Sequence, residues 1–319
     1  MKLIKPSFEI IEQQPGLEGI YRQIEYAGRI CYRSSNKTTE DSAKPFVDRM
    51  IKSGHGSVLE HGTVYLKTVR YIDERGRELG NKLGLTESDF SVPGKPGYRH
   101  DDKHYYFKYK NNPYSKLVDK SIDGIDIHYI TTNYRTIIEN NWLDDLKYIC
   151  EPTEFHERRV TVRFILSRSI AQEYTRHRVF SYAMESQRYC NYSRDKFNNE
   201  VAFIIPCWIT DVHPGNSYNI ELINNYPLAE TEGMSPESIE FIRSLVYSES
   251  SYFVLLEAGW KPQQAREVLS NACKTELIMT GFVSDWKHFF ELRTASNAHP
   301  QARELAIPLE EEFKSLNLI

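Results

Sequence analysis

The sequence predicts an α+β fold, and three observations predict it. Short runs rich in β-branched and aromatic residues recur through the first two-thirds of the 319-residue chain, the last third carries helix signals, and no GxGxxG follows any strand-like run. Phe8–Glu12 reads as a first strand. Residues 20–31 (IYRQIEYAGRIC) read as a helix, with Ile20, Ile24, Ala27 and Cys31 at spacings of four, three and four. Phe46–Lys52 predicts a second helix, stopped by Ser53-Gly54, and Thr63–Val69 (TVYLKTV) a strand. From 71 to 153 the periodicities weaken, Gly94-Lys95-Pro96-Gly97 and the run HYYFKYKNNPYSK (His104–Lys116) intervene, and the stretch reads as an insertion. It is expected to interrupt a hairpin joining Thr63–Val69 to the next strand, Val160–Leu166. Ser169–Thr175 reads as a helix and Val201–Pro206 as a buried strand. Ser235-Pro236 is a helix start, a capping serine before proline at the first helical position, with Gly259 as its stop. Pro262–Cys273, Asp285–Leu292 and Gln301–Leu316 complete a C-terminal third expected to be helical.

Composition removes several function classes. A chain that is 40% hydrophobic and 13% aromatic is not disordered. Forty Lys and Arg against forty-four Asp and Glu, a net charge of −4, exert no global pull toward nucleic acid or anionic membrane. No apolar run approaches the roughly 18–20 residues of a membrane span, and Pro6, Glu9 and Glu12 break the only N-terminal apolar stretch, so no signal peptide is expected. Cys31, Cys150, Cys190, Cys207 and Cys273 are odd in number and lack CxxC spacing. They are expected to be free thiols in a cytoplasmic protein without structural zinc.

Three clusters could carry chemistry. His55-Gly56-Ser57-Val58-Leu59-Glu60-His61 spaces its histidines and glutamate as H-x-x-x-x-E-H, which matches neither HExxH nor HxxEH. A turn before a strand is the plainer reading, and no metal is expected. Arg176-His177-Arg178 follows a helix, where its macrodipole favours cations. That does not account for Arg188 and Arg194, interleaved with the hydroxyls of Ser181, Ser186 and Ser193, a combination suited to phosphate or carboxylate. Arg266, His288 and Arg293 form the third cluster, with Arg293 closing the aromatic segment Trp286–Leu292. Walker A, nucleophile-elbow and EF-hand patterns are absent from the sequence.

Together these clusters resemble the flavin-dependent thymidylate synthases. Their signature, RHR-x7-S, reads R-H-R-VFSYAME-S from Arg176 to Ser186, with Gln187-Arg188-Tyr189 after it, H-x-x-x-x-E-H upstream and E-L-R at Arg293 downstream. Cys31 in AGRICY and Arg266 in QQAREVL sit in similar segments, so the resemblance covers 20–70 and 155–310. It implies a non-Rossmann α+β fold of that family's type, an antiparallel sheet with long helices, and one catalytic domain over 1–319 interrupted at about 71–153. It also implies reductive methylation of dUMP to dTMP, with methylenetetrahydrofolate as carbon donor and FAD reduced by NADPH, in a homotetramer with shared active sites. By position, Ser57, Glu60, Arg176, His177, Arg178 and His288 would contact the flavin and His55 would lie beside it. Arg176, Ser186, Gln187, Arg188 and Arg266 would hold dUMP, and Arg293 would face the uracil and stabilise its developing negative charge. No cysteine nucleophile is implied, so Cys190 receives no covalent role.

Two departures stand out. Glu173 occupies a position where the family often has Gln, and Ala183-Met184 replaces Asn-Glu, with a glutamate shifted to Glu185. Glu173 beside a phosphate would repel it unless an arginine intervened, and Glu185 could substitute from a neighbouring turn. Two rival readings follow: an RNA- or nucleotide-binding protein using the arginines and the tyrosine-rich insertion, and a relative that binds FAD and dUMP without synthase activity.

Overall fold

The computed structural model describes residues 1–83, 103–193, 199–219 and 233–319, with the side chains of 103–106 excepted; Gly94-Lys95-Pro96-Gly97 and Arg194 lie outside these. In chain order the elements begin with β1 (Lys2–Ile4), β2 (Ser7–Ile11), α1 (Gly16–Tyr32), α2 (Ala43–Lys52), α3 (Gly56–Leu59) and β3 (Thr63–Tyr71). Next come α4 (Glu74–Lys82), α5 (Lys103–Lys110), β4 (Lys116–Ile122), β5 (Ile125–Asn133), α6 (Tyr134–Glu139), β6 (Arg159–Ser167), α7 (Arg168–Tyr174) and β7 (Ser181–Met184). The chain ends with β8 (Ala202–Ile204), α8 (Pro236–Glu257), α9 (Pro262–Ala265), β9 (Lys274–Phe282), α10 (Val283–Arg293) and α11 (Pro300–Ser315). No helix among the described residues is long and apolar enough to cross a membrane.

The main sheet is antiparallel, ordered β2-β6-β9-β7. Its centre is β9, a strand absent from the helical C-terminal third expected from sequence. The helix expected over Pro262–Cys273 shrinks to α9 and a 3₁₀ turn, Arg266–Val268. All nine residues of β9 are buried, so KTELIMTGF lacks the apolar–polar alternation that marks a half-exposed strand. β9 is shielded by β6 and β7 at its edges and by helices on both faces. On one face Leu277 and Met279 pack with Trp286 and Phe289 of α10 and Phe313 of α11. On the other, Ile278 and Ala183 meet Ala27 and Ile30 of α1. Each fully buried large apolar side chain here contributes about 1.5–3 kcal/mol.

The helix α1 serves two layers. Ala27 and Ile30 face the main sheet, while Ile20 and Ile24 join Phe46, Leu59, Val64, Leu66, Ile130 and Tyr134 in a second core. A Cβ at Gly28 would fall 2.5 Å from the Phe46 ring, so glycine is what lets α1 and α2 approach this closely.

A separate three-stranded sheet, β3-β5-β4, underlies that second core. The expected hairpin between β3 and β6 does not form. All nine residues of β3 register on β5, from Thr63↔Asn133 to Tyr71↔Ile125, whereas β6 pairs with β2 and β9. The outer edge of β3 is met by Ile149 and Cys150, with Cys150 N–H donating to the Tyr65 carbonyl at 3.0 Å. The segment following residue 71 therefore supplies two of the three strands and takes β3 into its own sheet. A third core, around the parallel pair β1–β8, is covered by α8.

A central, doubly covered β9 makes a firm prediction. Leu277→Ala should cost about 3 kcal/mol and lower the urea midpoint, whereas Leu292→Ala, at a half-exposed position, should change stability by no more than about 0.5 kcal/mol. Equal midpoints for the two variants would displace β9 from the centre of the core.

Candidate functional site

Three polar groups gather around the short strand β7, and each contains residues singled out from sequence. At its start lies the H-x-x-x-x-E-H segment. His55 and Ser57 are exposed, with His55 Nδ1 3.3 Å from Ser53 Oγ. Gly56–Leu59 forms a single helical turn and Glu60 caps it. His61 is buried, its Nδ1 2.8 Å from Thr280 Oγ1, which is itself 2.8 Å from Thr161 Oγ1. Burial first, and then the Arg159 charge, lower the His61 pKa to about 3, so its ring is neutral. Arg159 donates from Nη1 to the Glu60 carbonyl (3.1 Å) and Thr63 Oγ1 (3.3 Å), and from Nη2 to Ser181 Oγ (3.3 Å). Its guanidinium also lies 5.5 Å from the Phe282 ring centre. Desolvation draws its pKa down to about 10, which leaves it charged at neutral pH.

The second group sits where α7 ends and α10 ends. Arg293 Nε donates to His177 Nε2 (2.9 Å), Nη1 to Glu173 Oε2 (2.8 Å) and Nη2 to the Glu173 carbonyl (2.6 Å). The arginine needed to neutralise Glu173 is thus Arg293. Burial, then the Arg293 and His288 charges, lower the His177 pKa to about 4. His177 is therefore neutral, accepting at Nε2 and carrying its proton on Nδ1. Its ring packs 5.0 Å from Phe289 and 6.3 Å from exposed His288, whose Nδ1 is 3.3 Å from Glu291. Tyr182 OH donates to the carbonyls of His177 (2.6 Å) and Tyr174 (2.8 Å), tying this turn to β7. Arg176 and Arg178 are exposed and form no ion pair among the described residues.

The third group begins where β7 ends. Glu185 is buried and receives Lys274 Nζ at 2.7 Å, with Arg33 Nη1 3.7 Å away. Lys274 also bonds Glu276 at 2.6 Å, and Glu276 receives Arg163 at 2.7 Å. Burial raises the Glu276 pKa, but Lys274 and Arg163 outweigh it and leave the carboxyl below its ordinary value. Between α1 and this face of the sheet opens a cleft of about 440 Å³, walled by Tyr26, Arg33, Arg163 and Glu276 among others. Ser186 N–H donates to the Cys31 carbonyl at 3.0 Å, which places the two motif segments side by side. Gln187 is buried with its amide 3.4 Å from Cys273 Sγ, and Arg188 is exposed over the Tyr189 ring.

The structure thus joins Glu173, His177 and Arg293, and separately Ser186 and Cys31. It directs the Glu185 carboxylate into the sheet network. Arg266 opens the 3₁₀ turn after α9 and, among the described residues, has Glu267 as its ion partner, at 3.7 Å. Sequence reasoning missed Arg159, Lys274 and Glu276. Two opposite charges spaced by two residues before an apolar run, Lys274 and Glu276, were the available signal for charges on one strand face. No group of three or more His, Cys, Asp or Glu suited to a metal occurs among the described residues.

A neutral buried His61 makes stability depend on pH. The unfolded chain takes up a proton near pH 6.5 that folded His61 refuses until about pH 3. Its contribution is whole above about pH 6.5 and lost as pH falls toward 3, about 2 kcal/mol by pH 5. His177 acts in the same direction. Urea unfolding at pH 7 and 5 should show this loss, and His61→Gln should shrink it by about the His61 share; an identical pH dependence in that variant would contradict the assignment.

The chain is also similar to known proteins. The family described as thymidylate synthase complementing protein matches residues 129–316, more than half of the chain, beginning within β5 and running into the final helix. The flavin-dependent thymidylate synthase of Mycolicibacterium gilvum is 32% identical over 143 residues, covering 44% of this chain and 52% of that protein. The protein of the same description from Pyrococcus furiosus is 32% identical over 147 residues, covering 46% and 50%. The chain spans about half the length of the curated relatives it matches. A solved structure of the UMP/dUMP methylase PolB from Streptomyces cacaoi, bound with 5-Br UMP, aligns over 99% of this chain and 92% of that one, with 14% identity and a TM-score of 0.40. The extent of the family match, with Arg176–Ser186 and Arg293 inside it, makes this chain a member of the thymidylate synthase complementing protein family.

Proposed function

We propose that the chain is a flavin-dependent thymidylate synthase, a methyltransferase that converts dUMP to dTMP. Methylenetetrahydrofolate is the carbon donor and FAD, reduced by NADPH, the cofactor. It acts as one catalytic unit over 1–319 in a cytoplasmic homotetramer with shared sites. The observation that carries this reading is the RHR-x7-S segment itself: His177 is buried, neutral and hydrogen-bonded to Arg293, while Arg176 and Arg178 are exposed and have no acid partner among the described residues. Two uncompensated guanidiniums suit a ligand bearing a diphosphate. With Ser57 and Glu60 on the turn beside β7 adding a hydroxyl and an acceptor, this set of polar side chains fits FAD.

The flavin, when bound, supplies the reducing equivalents that the methylation consumes. The remaining roles belong to this chain's residues. Arg293 uses three of its five N–H donors on His177 and Glu173. Its other two can face a uracil whose N3–O2 edge becomes negative as C5 turns nucleophilic. His177 holds the guanidinium in plane, and Glu173 balances its resting charge. Arg188 and Ser186 lie on one exposed turn and would hold the dUMP phosphate, with Arg266 and buried Gln187 completing the substrate set and His55 and His288 lying toward the flavin. Arg176 serves both ligands by its position, and Glu185 reaches substrate only through the Ser186 turn it anchors.

Tritium release from C5-labelled dUMP tests this. Release should require FAD, NADPH and methylenetetrahydrofolate together, with dTMP as product; folded protein that holds FAD but releases nothing would overturn the synthase reading. Arg293→Lys should fold yet turn over about ten- to hundredfold more slowly, since an ammonium cannot reproduce the fork. Wild-type turnover in that variant would remove Arg293 from the chemistry.

A further inference from the structure

The segment between β5 and β6 packs Tyr134 and Ile137 into the same core as Val58 and Leu59 of the H-x-x-x-x-E-H turn, and makes an ion pair with that turn through Arg135. The helix α6 starts where β5 ends, capped by Asn133, whose side chain accepts from Thr136 N–H at 3.0 Å. Its first residue, Tyr134, donates its N–H to the Gly62 carbonyl at 2.8 Å, so α6 is fastened beside α3. From there Arg135 Nη1 donates to Glu60 Oε1 at 2.6 Å and Nε to Glu139 Oε1 at 2.7 Å. The guanidinium lies so close over Gly56 that a Cβ there would stand 3.0 Å from Arg135 Nε. Arg135 and Glu60 are both partly exposed, at 37% and 26%, so their charges act on whatever occupies the neighbouring solvent. Beneath them Arg159 holds the Glu60 carbonyl. The two arginines and the two glutamates cancel, and loss of Arg135 would leave an uncompensated negative charge beside Ser57.

We infer that Arg135 is a positioning residue for the flavin site: it fixes the Glu60 carboxylate and neutralises it, so that the turn at 55–61 can accept a ligand carrying a diphosphate. This rests on the reading of Glu60 as a flavin contact, and it gives the segment between the two sheets a part in that site. Arg135 itself need touch no ligand.

The test is FAD affinity, measured by quenching of flavin fluorescence, in a cycle of Arg135→Gln and Glu60→Gln. In the wild-type background Arg135→Gln should weaken FAD binding about tenfold, as expected for one unbalanced charge near a dianion. In the Glu60→Gln background the same change should cost less, about threefold, because Glu139 is then the one carboxylate of the pair left to unmask. Arg135→Lys keeps the charge and should stay within about threefold of wild type, which guards against a loss that merely reflects poor folding of the glutamine variant. Equal losses in both backgrounds, or no loss in either, would overturn the assignment and leave Arg135 a packing residue. Wild-type protein that takes up no FAD would overturn the functional reading and this assignment with it, a result distinct from flavin uptake that ignores Arg135.

Discussion

The Arg159 guanidinium is the point on which the candidate site hangs. It enters at the first residue of β6 and bonds three neutral oxygens, the Glu60 carbonyl, Thr63 Oγ1 and Ser181 Oγ. Those oxygens belong to the turn after α3, to the start of β3 and to the start of β7. One side chain therefore fixes where the small sheet departs, where the main sheet's edge strand begins and where the motif turn lies between them. Among the described residues it has no carboxylate partner within ion-pair distance, and desolvation lowers its pKa accordingly. Hydrogen bonds to a charged donor, each worth about 1.5–3 kcal/mol net, offset that cost and do so only in this one arrangement.

The same economy appears at the other end of β7. Lys274, Glu276 and Glu185 are each less than a tenth exposed, and isolated buried charges of this kind would destabilise the fold by several kcal/mol each. They persist because they alternate: Glu185 with Lys274, Lys274 with Glu276, Glu276 with Arg163. The chain of charges follows the sheet from β7 through β9 to β6, so strand register and side-chain pairing enforce one another. The turn carrying Ser186 and Arg188 follows directly from Glu185, and its placement inherits that rigidity.

How far the sequence could be read depended on the distance over which each feature acts. The helix α1 and the capped start of α8 were legible because stripe spacing and a Ser-Pro cap are local. The RHR-x7-S segment was legible because its residues lie in one run. β9 was not, since a strand covered on both faces has no alternation and KTELIMTGF resembles a buried helix segment as closely as a strand. Nor was the partner of β3. Its β-branched pattern fits any antiparallel neighbour, and only the β4–β5 hairpin, beyond 115, decides the competition against β6. The need for an arginine beside Glu173 could be stated from charge alone, but its identity, 120 residues away, required the fold.

These distances also explain why the charged pairs around β7 come from so many parts of the chain. β7 is four residues long and one edge of it is open to the motif turns. A strand that short contributes few hydrogen bonds of its own, so its position is determined by what grips its two ends and its outer face. Arg159 grips Ser181, Tyr182 reaches the carbonyls of the α7 turn, and Lys274 grips Glu185. All three contacts are polar and directional, and each fails if its strand slips by one residue, because a one-residue slip turns every side chain to the opposite face. Polar contacts here therefore specify register more than they add stability. The cost is a set of buried charges, and the result is that His177 in the turn before β7, Ser181 at its first residue and Ser186 in the turn after it are held at fixed separations.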